Sequence, residues 1–265
     1  MEDPPLITPS DTQPGTVNPG RLRIWLATIL CKTYFLANLL IFEIILRMVS
    51  PLGKRTLLRV SSFQCRLLHG VVPLAFGELR IEGAQHLDPR RRFIVVLNHQ
   101  SYLESILPLS VLAPIDPVFI CKKELGYGIP AISYTLRTAG HCLIDRNDRE
   151  QALGAIEEVA GRAATGEVSP VLFPEGTRSP DGQLLPFKPG GFKTLLEKTP
   201  GIPILPVLID GGRHLFHKKQ LWVRPGSRVH MRILPPLERT EGDDDTLIVR
   251  VESLMHGELD AMRAC

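Results

Sequence analysis

The stretch from Ile24 to Leu46 constrains this chain most, because only Thr28, Lys32, Thr33, Asn38 and Glu43 interrupt an aliphatic and aromatic run. As a helix it would be roughly 35 Å long at about 1.5 Å per residue, enough to reach across a bilayer core. A cleaved signal peptide fits poorly, since residues 1–20 are acidic and Pro-rich and the apolar part exceeds a normal signal core. Lys32 opposes a clean span, because it would sit near mid-bilayer at a cost of a few kcal/mol.

Charge follows the same division. Residues 1–20 carry Glu2, Asp3 and Asp11 without a Lys or Arg, whereas residues 21–66 carry a net +7. Leu57, Leu58, Phe63, Leu67 and Leu68 interleave with Lys54, Arg55, Arg59 and Arg66, which suits a helix lying in the headgroup region of an anionic leaflet. The alternative is a buried helix pair packed on the following domain. The flanking basic residues slightly favour a cytoplasmic C-terminal side. The whole-chain charge of +3 is too small to mark a nucleic-acid binder. A hydrophobic share of 44% excludes an extended disordered chain. Five scattered cysteines without a C-x-x-C pair read as reduced thiols in a cytosolic compartment.

The expected organisation is a disordered leader over 1–20, membrane-associated helices over 21–69 and a folded domain over 70–265. In that domain strand-like and helix-like stretches alternate. Strands are expected at Leu74–Ile81, Phe93–Leu97, Pro117–Cys121, Cys142–Asp145, Val171–Phe173, Ile204–Ile209 and Val229–Leu234. Helices are expected at Ser101–Leu112, Ile129–Thr138, Arg149–Ala164, Gly191–Lys198 and Asp244–Met262, with Asn147 or Asp148 capping the third. The acidic run Glu241, Asp243, Asp244, Asp245 would cap the last helix. The segment Gly211, Gly212, Arg213, His214, His217, Lys218, Lys219 reads as a surface excursion. The pattern implies an α/β sandwich around an internal sheet.

Residues 98–105, Asn-His-Gln-Ser-Tyr-Leu-Glu-Ser, follow the apolar run Ile94–Leu97. His99 on the loop and Glu104 in the next helical turn can form a base and its orienting carboxylate. Ser101-x-x-Glu104 is equally a capping box, and spacing alone leaves both readings open. Residues 173–179, Phe-Pro-Glu-Gly-Thr-Arg-Ser, form a polar turn after a second strand. There Gly176 permits tight turning, Arg178 offers a planar multi-donor head for phosphate, and Glu175 can bind a polyol hydroxyl or orient Arg178; an ordinary turn with a surface ion pair is the alternative. A basic turn at 186–193 can present amides, Lys188 and Lys193 to an anion. Lys122, Lys123 and Arg146 lie near strand ends that tend to converge. His214-x-x-His217 lacks the company a metal site needs.

N-H-x4-E at 98–104 and F-P-E-G-T-R-S at 173–179 together resemble the glycerophospholipid acyltransferase family, most closely the 1-acyl-sn-glycerol-3-phosphate acyltransferases. Cys121–Leu125 through Cys142–Arg146 is similar to the family's second block, and Ile202–Val207 to its fourth. The resemblance runs over roughly 70–235, making 70–265 an acyltransferase domain. It implies a mixed sheet flanked by helices, of the glycerol-3-phosphate acyltransferase-like kind, after a membrane-associated helical segment. It further implies acyl transfer from a thioester, coenzyme A or acyl carrier protein, to the free hydroxyl of a lysophospholipid, with no metal or other cofactor. His99 would be the base and Glu104 its orienting group. Arg178 would bind the acceptor phosphate with Glu175, Gly176 and Thr177 beside it, and Lys123 and Arg146 would add basic contacts. The expected location is the cytoplasmic face of a membrane.

One departure is plain: the family pattern ends its first block in Asp, and this chain has Glu104. Backbone or rotamer must absorb the extra methylene, since errors near 1 Å cost on the order of a hundredfold in rate. The rivals are another lysolipid acceptor such as a lyso-aminolipid, a non-catalytic lipid-binding protein, and a serine hydrolase using Ser101 or Ser105.

Overall fold

The computed structural model describes residues 20–215, 222–239 and 244–264. Residues 1–19 of the expected leader, and His217, Lys218, Lys219, Glu241 and Asp243, lie outside the described residues. The chain opens with α1 (Arg21–Val49), α2 (Lys54–Leu68) and a single turn, α3 (Val71–Leu74). It continues through β1 (Glu78–Glu82), β2 (Ile94–Leu97), α4 (Leu107–Val111), β3 (Pro117–Lys122), α5 (Ile132–Thr138) and β4 (Cys142–Ile144). The remainder is α6 (Arg149–Ala164), β5 (Ser169–Leu172), α7 (Pro189–Lys198), β6 (Ile204–Asp210), β7 (Arg228–Ile233) and α8 (Asp244–Ala264).

The seven strands form one sheet in the order β1-β7-β6-β2-β5-β3-β4. The five from β6 to β4 are parallel; β7 pairs antiparallel with β6 and parallel with β1, so the sheet is mixed. Central β2 shows why both faces are covered. Ile94 and Val96 pack with α6, α7 and α8, while Val95 and Leu97 point the other way onto α1, α3 and α4.

All seven expected strands form, and the differences at their ends have local causes. The stretch expected to begin a strand at Leu74 is helical to that residue. Phe76 then takes φ 57°, and strand pairing starts after Gly77, where a Cβ would meet the Ser227 carbonyl. The expected helix Ser101–Leu112 is a 3-10 turn at Leu103–Ser105 followed by α4, because Pro108 has no N–H to give the Glu104 carbonyl. The helix expected from Ile129 begins at Ile132, after Pro130 and a left-handed Ala131. Asp148 caps α6 by accepting the Gln151 N–H at 3.0 Å. The expected surface excursion is corrected in its described part, since Gly212, His214 and Leu215 are buried.

Helix α1 is half committed to the domain. Residues 21–52 are long and apolar enough to cross a membrane. Yet one stripe, including Ile24, Ala27, Thr28, Cys31, Asn38, Leu39, Phe42 and Leu46, is buried in the fold. The polar interruptions explain themselves there. Thr28 accepts the Val223 N–H at 3.0 Å, Asn38 Oδ1 accepts from Gln64 of α2 at 3.2 Å, and Glu43 accepts the Ala131 N–H at 2.5 Å. Lys32 is exposed, as are Leu26, Ile29, Leu36, Leu40, Ile41, Ile44 and Met48. The two readings of this segment therefore describe different sides of one helix.

Asn38 and Gln64 are both buried. Asn38→Ala leaves the Gln64 amide without its acceptor and should cost about 1–3 kcal/mol, read as a lowered denaturation midpoint in detergent. Replacing both residues with Leu should recover most of the loss.

Candidate active site

The site is assembled at the carboxyl edge of the parallel strands. β2 is followed by Asn98, whose side chain continues the ladder: Nδ2 donates to the Ile209 carbonyl at 2.9 Å and Oδ1 accepts the Ile209 N–H at 2.8 Å. A side chain thus occupies the place of the next peptide, and the main chain is free to leave the sheet at His99. The His99 N–H donates to Glu175 Oε1 at 2.6 Å, and its carbonyl accepts the Ser179 N–H at 2.8 Å. Its imidazole stacks on Phe173 with centroids 4.3 Å apart.

Glu104 is fully buried. Its Oε2 meets His99 Nδ1 at 3.2 Å, the Gln100 N–H at 3.2 Å and the Ser101 N–H at 2.5 Å, while Oε1 accepts the Ser101 hydroxyl at 2.9 Å. The capping box and the His–carboxylate pair, alternatives at the level of spacing, coexist in one carboxylate. With Nδ1–H directed to Glu104, a neutral imidazole carries its lone pair on Nε2. Burial is the largest influence on His99 and pulls its pKa below the usual histidine value. Glu104 pulls upward, and the charges of Arg178 and Arg146 push further down.

The Phe173–Arg178 turn lies alongside. Glu175 serves in the fold as an internal clamp. It is buried, and its two oxygens accept the backbone N–H groups of His99 and of Leu185, the latter at 2.9 Å. Desolvation pushes its pKa up to about 7 against those two hydrogen bonds, with a smaller upward push from Glu104. Gly176 has φ 67°, and a Cβ there would come within 3.1 Å of Lys188 Nζ. Thr177 is exposed. Arg178 is half-buried; its Nε donates to the Ser101 carbonyl at 3.3 Å and its guanidinium lies 4.0 Å over the Tyr102 ring.

Of the three basic residues expected to converge at the strand ends, Arg146 alone reaches the Phe173–Arg178 turn. Arg146 Nη1 donates to the Gly176 carbonyl at 2.5 Å, so it joins Arg178 and Lys188 around one turn. Lys123 is exposed, 4.0 Å from Asp145, and Lys122 pairs with Glu124 at 2.7 Å. Lys193 turns elsewhere, to Asp245 at 2.8 Å. Sequence reasoning missed Asn98 as a ladder extension, Phe173 as the stacking partner, and Asp210, which accepts from Gln100 at 3.2 Å. Only Asn98 left a trace, as a polar residue directly ending a fully apolar strand.

A buried base–carboxylate pair beside a cluster of cations, on the carboxyl edge of a mixed sheet, equips a site to deprotonate a hydroxyl next to a phosphate. The comparisons agree. A family model described as Acyltransferase matches residues 78–210. The 1-acyl-sn-glycerol-3-phosphate acyltransferase alpha of Mus musculus is 32% identical over 209 residues, covering 78% of this chain and 69% of that protein. The 1-acyl-sn-glycerol-3-phosphate acyltransferase of Limnanthes douglasii is 31% identical over 192 residues, covering 72% and 66%. The crystal structure of the 1-acyl-sn-glycerophosphate (LPA) acyltransferase PlsC from Thermotoga maritima superimposes with a TM-score of 0.76 at 26% identity, covering 92% of this chain and 98% of that one. The chain belongs to the acyltransferase family, and within it to the class of the 1-acyl-sn-glycerol-3-phosphate acyltransferases.

Glu175→Gln sets an amide NH2 against one of two backbone N–H groups. It should lower stability by about 1–3 kcal/mol, measured as the shift in denaturant midpoint at constant slope.

Proposed function

We propose that the protein transfers an acyl group from an acyl thioester to the free hydroxyl of 1-acyl-glycerol-3-phosphate, forming phosphatidate, at the cytoplasmic face of a membrane. The observation that carries this reading is the His99–Glu104 pair, fixed beside the Arg178, Arg146 and Lys188 cations. His99 Nε2 takes the proton of the acceptor hydroxyl as its oxygen attacks the thioester carbonyl. The tetrahedral intermediate collapses with cleavage of the C–S bond, and the imidazolium returns the proton to the departing thiolate. Glu104 stabilises the imidazolium through Nδ1. Arg178, supported by Arg146, binds the acceptor phosphate, for which a planar multi-donor head is suited. The exposed apolar side of α1 seats in the bilayer and brings the site to its lipid substrates.

The test is thiol release from palmitoyl- or oleoyl-coenzyme A, and from the corresponding acyl carrier protein thioester, with and without lysophosphatidate. The diacyl product is followed in lipid extracts. Acceptor-dependent release is expected, and His99→Ala should reduce it by about 10²–10⁴-fold. No release with folded protein and any lysolipid would favour a non-catalytic lipid-binding protein, while release with other lysolipids alone would replace the acceptor. Arg178→Ala should raise KM for lysophosphatidate more than it lowers kcat. Because burial and the nearby arginines depress the His99 pKa, the base stays neutral to lower pH. The acid limb of kcat/KM should therefore fall below pH 6.5, the usual histidine value.

A further inference from the structure

The loop that follows β6 lies directly behind the His99–Glu104 pair, and its contacts have the character of a mould. Asp210 Oδ1 accepts from Gln100 Nε2 at 3.2 Å and from Arg263 of α8 at 2.8 Å, and Arg263 also donates to the Gly182 carbonyl at 2.6 Å. These bonds fasten the loop to the segment that carries His99. Gly211 follows with φ 80°, and Gly212 is buried. A Cβ on Gly212 would stand 2.7 Å from Ser101 Oγ, 3.1 Å from Glu104 Oε1 and 3.6 Å from Leu103 Cβ. Gly212 itself is not among the left-handed glycines, so an alanine there meets no backbone obstacle. Only the Ser101–Glu104 pair stands in its way. Ser101 Oγ has little freedom to yield, because it donates to Glu104 Oε1 at 2.9 Å and accepts the Leu103 N–H at 3.0 Å.

We propose that Gly212 is a positioning residue for the His99–Glu104 pair: the missing side chain at 212 makes the room that a glutamate, longer by one methylene than the aspartate of the family pattern, needs in order to reach His99 Nδ1. The inference deepens the assignment of His99 and Glu104 given above and rests on it. Gly212 touches no substrate and acts through the carboxylate.

The test is a double-mutant cycle of Gly212→Ala and Glu104→Asp, with His99→Ala in the same assay. Gly212→Ala pushes the carboxylate off its donors, so kcat should fall at least about tenfold with KM for both substrates within about twofold of wild type. The groups acting on His99 are Glu104, Arg178 and Arg146, with Glu175 on its backbone N–H. Glu104 is the one raising its pKa, so displacing it should move the acid limb of kcat to lower pH. In the Glu104→Asp background the shorter side chain gives up both the space at Oε1 and the bond that holds Ser101 Oγ, so the hydroxyl can turn away and adding Gly212→Ala should cost less than about threefold. Thermal midpoints should show the same coupling, with alanine lowering the midpoint less in the Glu104→Asp background than in the wild type. They decide the question should Glu104→Asp turn over too slowly to assay. Gly212→Ala within twofold of wild type with an unmoved acid limb would overturn the proposal. So would equal losses from alanine in both backgrounds. Should Gly212→Ala fail to fold, Gly212→Ala/Glu104→Asp is read against Glu104→Asp, and a double variant that is unfolded where the single is folded refutes the idea. Turnover that survives His99→Ala would instead remove the base assignment, whatever position 212 does.

Discussion

A carboxylate sealed from solvent is tolerated only when its oxygens are occupied, and Glu104 meets that condition with four donors from three consecutive residues. The satisfaction of this one buried group shapes the turn at the end of β2. The amides of Gln100 and Ser101 converge on Oε2, which forces the chain to wrap around the carboxylate, and the wrap brings His99 Nδ1 to the same oxygen. Closing a helical turn and pairing with the imidazole are here a single arrangement. An orienter already held by backbone amides does not have to reorganise when the imidazole gains a proton, which is the form of preorganisation that favours proton transfer.

The rest of the site is hung on this turn by other buried polar groups. Asn98 pins the start of the loop to β6, and Glu175 pins the His99 amide to the loop after β5 while holding Leu185 with its other oxygen. Three parallel strands thereby present their carboxyl ends in fixed relation. The cationic side then follows from placement: Arg146 after β4 and Arg178 after β5 reach the neighbouring carbonyls of Gly176 and Ser101. Burial first, and their positive charge to a lesser degree, depress the His99 pKa that Glu104 raises. The neutral form of the imidazole is thus favoured, next to a carboxylate that welcomes its protonated form.

How much of this the amino-acid sequence discloses depends on the range of the interaction. Apolar runs locate the central strands β2, β3, β5 and β6, because a sheet covered on both faces demands Val, Ile and Leu there, while β7 shows through its alternation and β1 is largely exposed. The Asp148 cap is likewise local and legible. The break in the helix after Ser101 is also written locally, in Pro108, but the capping pattern suggests a longer helix than the proline allows. The His99–Glu104 pair is visible as one of two readings of a five-residue spacing. The clamp made by Glu175 is not legible along the chain because its partners, the amides of His99 and Leu185, are identified only by the fold. The bond from Asp210 to Gln100 spans 110 residues, and no pattern along the chain announces it. Gly212 looks like loop punctuation, and only the three-dimensional neighbours of its absent side chain give it a reason.

Helix α1 joins the question of location to that of catalysis. An apolar helix that merely anchored the domain would have no use for inward-facing polar groups, and one that merely filled the core would not leave so many large aliphatic side chains in the open. This helix has both. Thr28, Asn38 and Glu43 are spaced along its inner side, each bonded to a different part of the fold. Polar bonds of this kind are directional, so they fix the rotation of the helix about its own axis as well as its depth, which apolar packing alone does only loosely. Glu43 grips Ala131, in the connection from β3 to α5 that begins with Lys123. The exposed apolar side and this connection, which leaves the carboxyl end of β3, are therefore held in one frame. With that side seated in a bilayer, as proposed, the height of the site above the lipid surface is set by the docking of α1 rather than by a flexible tether.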